Sequence, residues 1–100
     1  MAYELIIKPI VFFDVEEALD YYEQQSSGLG KRFYENFLLT LQNIQNSPTH
    51  YAFIYQSVRR CMIYNFPYKV FYTVTEHNIF ILGVAHAKRS NTFIRKRLRL

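Results

Sequence analysis

The chain contains 100 residues, the length of one domain, and half of its residues are hydrophobic. Three Gly and three Pro leave little room for long loops or disorder, and a single cysteine, Cys61, excludes an internal disulfide and any multi-cysteine metal site. The net charge of +4 is unevenly distributed: residues 1–50 carry −4 (three Lys or Arg against seven Asp or Glu), and residues 51–100 carry +8 (nine against one).

This charge asymmetry indicates a polyanionic partner, either nucleic acid or an acidic protein. The alternative is that the helices carry the acids and the strands the bases by chance. Acidic Glu4 and a run of only three apolar residues follow the start, which argues against a signal peptide. The longest apolar run, Ile79 to Ala85, is far shorter than the roughly 18 residues of a membrane span. We therefore expect a soluble, cytoplasmic protein without a membrane partner.

An opening strand and an amphipathic helix begin the chain. The strand, Tyr3 to Lys8, is rich in β-branched and aromatic residues and ends at Pro9, because proline cannot donate to a β-ladder. The helix that follows has one apolar stripe with a period of about 3.6 residues, formed by Val11, Val15, Ala18 and Tyr22. We interpret its carboxylates as a solvated face made by Asp14, Glu16, Glu17, Asp20 and Glu23.

A second amphipathic helix is expected after the break at Ser26-Ser27-Gly28. It runs from about Gly30 to Asn46, and Ser47-Pro48 ends it. Its apolar stripe is formed by Phe33, Phe37, Leu41 and Ile44. The short connection predicts an antiparallel helix hairpin. Since neither helix is apolar all round, both should lie on one side of a sheet.

The second half of the chain has strand composition. Val58–Tyr64, Tyr68–Thr75 and Ile79–His86 are predicted strands, and Tyr51–Gln56 is a weaker candidate. Ser90 to Leu98 predicts either a final helical turn or an irregular, strongly basic tail.

Alternation assigns side chains to the two faces of the predicted sheet. Lys69, Phe71 and Thr73 should point to its open side, and the side chains that face the helices should be Tyr68, Val70, Tyr72 and Val74. The last strand is nearly continuously apolar, which is typical of a central strand covered on both faces. Its alternation places on one face Phe80, Leu82, Val84 and His86.

The predicted element order is β-α-α-β-β-β, with one extra short strand if Tyr51–Gln56 pairs. A two-helix hairpin packed on one face of a small, mainly antiparallel sheet defines an α+β fold. We expect this fold to form a single domain over residues 1–100.

Several motifs, in their order and spacing, resemble the RelE/ParE superfamily of toxins from bacterial type II toxin–antitoxin systems. The resemblance covers the chain from about Tyr3 to Arg97. The segments that carry it are Ala18–Glu23 (ALDYYE), Gly28–Phe33 (GLGKRF), Asn46–Pro48, Arg59-Arg60, Phe66–Tyr72 (FPYKVFY), Ile81–His86 (ILGVAH) and Arg89.

The resemblance implies a growth-arresting toxin of the kind associated with plasmid stabilisation. Some family members cut messenger RNA in the ribosome, and others poison DNA gyrase without being nucleases. The implied partners are a cognate antitoxin, which wraps the toxin, and either gyrase or the ribosome with its mRNA. Promoter DNA is implied only through the antitoxin. No cofactor is expected.

The candidate functional-site residues are Arg60, Lys69, His86 and Arg89. The resemblance implies that Arg60 and Lys69 occupy basic positions on the open sheet face of the ribonucleases. Three positions depart from that pattern, where a Lys, an Arg and a Tyr are implied: Met62, Ala87 and Phe93. Phe71 and Phe93 are interpreted as exposed aromatic residues that stack on bases or, preferably, form an apolar groove for the antitoxin.

An imidazole at the end of the last strand has two interpretations. His86 could act as an acid or base beside a phosphate held by Arg89. Alternatively, a backbone or tyrosine partner satisfies it. Adjacent Arg59 and Arg60 point to opposite faces of a strand. We assign Arg60 to the site and expect the other arginine to pair with a helix carboxylate. The three scattered histidines have no ligand spacing, so no metal site is expected.

The departures from the ribonuclease pattern at Met62, Ala87 and Phe93 favour a ParE-like toxin that poisons DNA gyrase. The alternatives are a metal-independent, ribosome-dependent mRNA endonuclease that uses the four candidate residues, and a degenerate toxin that only binds its antitoxin.

Overall fold

In a computed structural model, which describes residues 3–98, two helices and a third short helix enclose a five-stranded sheet. The elements are β1 (Glu4–Ile7), α1 (Ile10–Gln25), α2 (Leu29–Asn46), β2 (Phe53–Tyr55), β3 (Val58–Met62), β4 (Tyr68–Val74), β5 (Asn78–His86) and α3 (Thr92–Leu98). The strand order is β1-β5-β4-β3-β2; β1 is parallel to β5, and the other pairs are antiparallel. The α+β prediction is confirmed, including the weak strand, which becomes β2.

A tight turn makes α1 and α2 a hairpin. Ser26 is extended, and Gly28 has a φ of +88°, in the left-handed region that a glycine adopts without strain. The Glu23 carboxylate closes the turn by accepting hydrogen bonds from the backbone N–H groups of Gly28 and Gly30, each at 3.0 Å. Gly30 also brings α2 close to α1, because a Cβ there would lie only 2.7 Å from the Leu19 carbonyl oxygen.

The main core lies between this hairpin and one face of the sheet. Both predicted helix stripes are buried in it, together with Val70 and Tyr72 of β4, which face the helices as predicted. The Tyr72 hydroxyl is buried and donates a 2.7 Å hydrogen bond to the carbonyl of Pro48, just beyond α2. Burial raises the pKa of this hydroxyl strongly, so it remains protonated and a donor.

The other face of the sheet was predicted to be open, and this prediction is wrong because α3 covers part of it. Phe71 and Leu82 pack there against Ile94 of α3, and both Phe71 and Ile94 are fully buried. The interpretation of Phe71 as an exposed aromatic residue is therefore wrong. Ser90–Leu98 contains a helix rather than an irregular tail because Ile94 gives it an apolar side to bury.

A β-bulge interrupts the alternation of β5. Phe71 is paired with Gly83 and Tyr72 with Ile81, so Leu82 has no partner on β4. The predicted common face of Phe80, Leu82, Val84 and His86 is consequently wrong. Phe80 and Leu82 pack in the cluster beneath α3, whereas Val84 packs with the hairpin core. Among residues 3–98, no helix is long and apolar enough to cross a membrane.

Candidate functional site

Two of the predicted site residues, Arg60 and Lys69, lie diagonally on the α3 side of neighbouring strands. Arg60 of β3 is paired with Phe71 of β4, and Met62 is paired with Lys69. Side chains of paired residues share a face, so Arg60, Met62, Lys69 and Phe71 all project to the side of the sheet that α3 covers. Arg60 is exposed, whereas only 7% of Lys69 is exposed.

The Lys69 side chain binds the connection between β5 and α3. Its ammonium group donates to the carbonyl oxygen of Arg89 at 2.9 Å and to Oδ1 of Asn91 at 3.0 Å. Burial, followed by the nearby charge of Arg60, lowers the pKa of Lys69. Both hydrogen-bond partners are neutral, so the lysine holds this connection in place rather than neutralising a carboxylate.

Arg89 belongs to the same region through its backbone and its side chain. Its N–H donates to the carbonyl of His86 at 2.9 Å, which forms the turn after β5. Its guanidinium carbon lies 3.9 Å from the centroid of the Phe93 ring, and that of Arg97 lies 4.4 Å from the same centroid. Phe93, which was expected to be exposed, is partly buried, and both guanidinium groups pack on its ring. Arg89 itself is exposed.

The side chain of His86 lies apart from those of the other three residues, although its carbonyl accepts from the N–H of Arg89. It is paired with Tyr68, and their ring centroids are 5.2 Å apart. Tyr68 packs against the hairpin core, on the opposite side of the sheet from Lys69. Nδ1 of His86 accepts a 3.1 Å hydrogen bond from the N–H of Lys88. This geometry agrees with the interpretation of a histidine satisfied by backbone and tyrosine partners at a strand end.

Neither arginine of the Arg59-Arg60 pair contacts a helix carboxylate within residues 3–98, so that expectation is wrong. The Arg59 guanidinium donates to the carbonyls of Thr49 (3.1 Å) and Tyr51 (2.6 Å) and lies 3.7 Å from the Phe53 ring centroid. Backbone carbonyls and an aromatic ring thus anchor Arg59 at the sheet edge.

Asp14 instead pairs with Arg97 of α3. Their closest atoms, Oδ2 and Nη1, are 2.7 Å apart, and both side chains are largely buried. The interpretation of Asp14 as part of a solvated face is therefore wrong. Sequence reasoning missed this pair because the two residues are 83 positions apart, and Asp14 has the same spacing as the exposed carboxylates of α1.

A groove of about 600 Å³ lies beside Arg60, between β3 and α2. Met62 and Tyr64 line it and are 41% and 66% exposed. Within residues 3–98, no strand pairs with this edge of β3 beyond Arg60. The N–H of Arg60 donates to the carbonyl of Ala52 near β2, and the N–H of Ile63 points to the opposite side, where it donates to the carbonyl of Tyr68. Alternation therefore directs the N–H and C=O of Met62 toward the groove. An extended peptide can pair with such an edge.

The exposed cations of this region are of the kind that can bind an anion. Arg60 and Arg89 are exposed, and the buried Lys69 holds the backbone of Arg89 through its carbonyl oxygen. General acid–base catalysis needs a group within hydrogen-bond reach of the reacting proton. His86, for which an acid–base role was one of two interpretations, projects to the other side of the sheet. Within residues 3–98, no three His, Cys, Asp or Glu side chains are grouped as metal ligands would be.

The fold is shared with solved toxin–antitoxin structures. A chain of the chromosomal ParDE system from P. aeruginosa aligns with 87% of this chain and 98% of its own length (TM-score 0.74, 15% identity). E. coli toxin RelE, as an arginine-to-alanine double mutant in the free state, aligns with 100% of this chain and 99% of its own length (TM-score 0.58, 16% identity). A chain of the RelE–RelB complex from Pyrococcus horikoshii OT3 aligns with 90% of this chain and 100% of its own length (TM-score 0.57, 21% identity).

The sequence matches no protein-family model and no curated protein. The similarity to the solved structures therefore concerns the fold, and it confirms that this chain has the fold of RelE and ParE toxins.

Proposed function

We propose that this protein is the toxin of a type II toxin–antitoxin module and that it acts in the cytoplasm on DNA gyrase, as ParE-like toxins do. The observation that carries the proposal is the fold, which aligns with 98% of a chain of a ParDE system. The uneven charge supports it, because several exposed cations of the second half lie on α3 or on the side of the sheet that α3 covers: Arg60, Arg89, Arg95 and Lys96. Such a surface suits an acidic protein or a nucleic-acid complex.

The arrangement of the cations favours target binding over RNA cleavage. Cleavage without a metal requires groups that activate the 2′-OH, stabilise charge on phosphorus and protonate the leaving oxygen. Lys69 is buried and donates to Arg89 and Asn91. His86 is turned to the hairpin side. Met62 and Phe93 supply no proton donor or acceptor where the family resemblance implies a Lys and a Tyr.

The proposal includes a cognate antitoxin as a partner. The solved relatives in the ParDE and RelE–RelB structures belong to toxin–antitoxin assemblies. In this chain the groove beside Arg60 combines an open strand edge, exposed apolar side chains at Met62 and Tyr64, and one exposed cation. An extended, partly acidic segment fits that combination. Promoter DNA enters the proposal only through the antitoxin.

Inducible expression in a bacterial host tests the proposal. We expect growth arrest, DNA-damage signalling and inhibition of purified gyrase, with intact messenger RNA. Arg60→Ala should weaken the arrest, whereas the matched control Lys31→Ala, at an exposed position on α2, should not. Co-expression of the small gene that neighbours this one should restore growth.

Two results would overturn parts of this proposal. Discrete, codon-phased cuts in messenger RNA, detected by primer extension, would replace gyrase with the ribosome as the target. Normal growth while soluble, folded protein accumulates would reject toxicity. If that inactive protein still formed a stable complex with the neighbouring gene product, the chain would be a degenerate toxin that only binds its antitoxin.

A further inference from the structure

The β-bulge in β5 creates a polar junction between three elements. Leu82 has no partner on β4, and β1 ends its pairing at Ile81, so backbone groups of β5 need other partners. Asp14 of α1 and Arg97 of α3 supply them. Oδ2 of Asp14 accepts from the N–H of Val84 at 3.0 Å, and Nη1 of Arg97 donates to the carbonyl of Leu82 at 3.2 Å.

The two side chains also bind each other in a bidentate ion pair. The contacts are Nη1 to Oδ2 at 2.7 Å and Nη2 to Oδ1 at 3.0 Å. The Arg97 and Asp14 side chains are only 17% and 13% exposed, so the pair is weakly screened by solvent. Gly83 makes room for it, because a Cβ there would lie 2.8 Å from Nη1 of Arg97. Bidentate geometry fixes the plane of the guanidinium group.

That plane also packs on Phe93, which connects the junction to Arg89. The Arg97 and Arg89 guanidinium carbons lie 4.4 Å and 3.9 Å from the centroid of the same ring. Arg89 is held a second time by Lys69, which binds its carbonyl oxygen. Contacts therefore run without a gap from Asp14 through Arg97 and Phe93 to the exposed side chain of Arg89.

We propose that Asp14 and Arg97 are positioning residues for Arg89. The Asp14 carboxylate fixes the guanidinium of Arg97. That guanidinium, together with Ile94, fixes α3 and the Phe93 ring. The ring in turn orients the Arg89 side chain toward a partner. A guanidinium that already lies on an aromatic ring loses less side-chain entropy when it binds an anion. The consequence for toxicity rests on the proposed function, whereas the orientation of Arg89 does not.

Nuclear magnetic resonance of arginine side chains tests the orientation directly. The ring current of Phe93 should displace the Arg89 side-chain signals from those of exposed Arg32. Asp14→Asn should move them toward the Arg32 values, and the control Asp20→Asn, at an exposed carboxylate of the same helix, should not. A folded Asp14→Asn protein with unchanged Arg89 signals would overturn the proposal.

A second variant keeps the proposal testable if Asp14→Asn does not fold. Arg97→Lys retains a positive charge next to Asp14 but removes the planar group from Phe93. It should shift the Arg89 signals, while Lys96→Met, the exposed neighbour on α3, should leave them in place. Unchanged Arg89 signals in Arg97→Lys would reject the role of Arg97.

Growth arrest supplies the functional test. Asp14→Asn and Arg89→Ala should each weaken the arrest at equal protein level, and the double variant should weaken it no further, because both act through Arg89. Independent, additive losses would overturn the connection. If the unmodified protein does not arrest growth, the proposed function fails, and the resonance experiment still decides whether Asp14 positions Arg89.

Discussion

Replacing Gly30 by alanine sets two effects against each other in the helix hairpin. Gly30 is the second residue of α2, where alanine improves helix propensity by up to about 1 kcal/mol. The same position is buried against α1. An added Cβ would lie 2.7 Å from the backbone oxygen of Leu19 and 3.0 Å from Oε1 of Glu23, which accepts the Gly30 N–H.

The steric effect should be the larger one. Ordinary contact begins at 3.4 Å, so the two helix backbones must separate by about 0.7 Å. The Leu19 oxygen is a backbone atom and cannot rotate away as a side chain would. Overpacking of this kind costs about 1–3 kcal/mol. With a cost near the middle of that range, about 2 kcal/mol, and a gain in propensity of about 1 kcal/mol, Gly30→Ala should lower the free energy of unfolding by about 1 kcal/mol.

Urea denaturation followed by circular dichroism measures this change. A loss of about 1 kcal/mol should lower the urea midpoint by up to about 1 M at an unchanged slope. Gln42→Ala, at an exposed site of the same helix, should change the stability by less than about 0.5 kcal/mol. A midpoint for Gly30→Ala at or above that of the unmodified protein would show that α1 and α2 can separate without loss of stability. This result would refute the steric argument.

Three further predictions concern buried polar groups. Tyr72→Phe should lower the free energy of unfolding by about 1–2 kcal/mol in thermal denaturation, because it leaves the carbonyl of Pro48 without its donor; an unchanged melting temperature would contradict this. The lowered pKa of Lys69 means that the unfolded chain binds more protons between the folded pKa and the ordinary lysine pKa of 10.5, so stability from this group should rise with pH across that window. Lys69→Met should remove the rise and Lys31→Met should not; equal pH profiles in both variants would count against the burial argument. Cys61 is buried, and burial raises the pKa of its thiol, so it should react with a disulfide reagent at least about tenfold more slowly in the native protein than in urea. Equal rates would show that the thiol is accessible.

The candidate site was partly predictable because some of its geometry is local. Alternation along β4 placed Lys69 away from the helices, and the opposite directions of adjacent strand residues separated Arg59 from Arg60. His86 was wrongly grouped on one face with Phe80 and Leu82, because one bulged residue, Leu82, reverses the alternation beyond it. No sequence pattern marked that bulge, since the run around it is continuously apolar.

The sequence by itself determined the two helices, the strand order along the chain and the side of the sheet on which the hairpin packs. Apolar residues repeat with the period of each element, and burial of those stripes is the dominant local signal. Tertiary structure alone decided that α3 covers the second face, that Lys69 is buried beneath the turn to α3, and that Asp14 binds Arg97. These contacts join residues far apart in the chain. Their partners are selected by three-dimensional proximity and by the need to satisfy buried polar groups, and neither is encoded in local spacing.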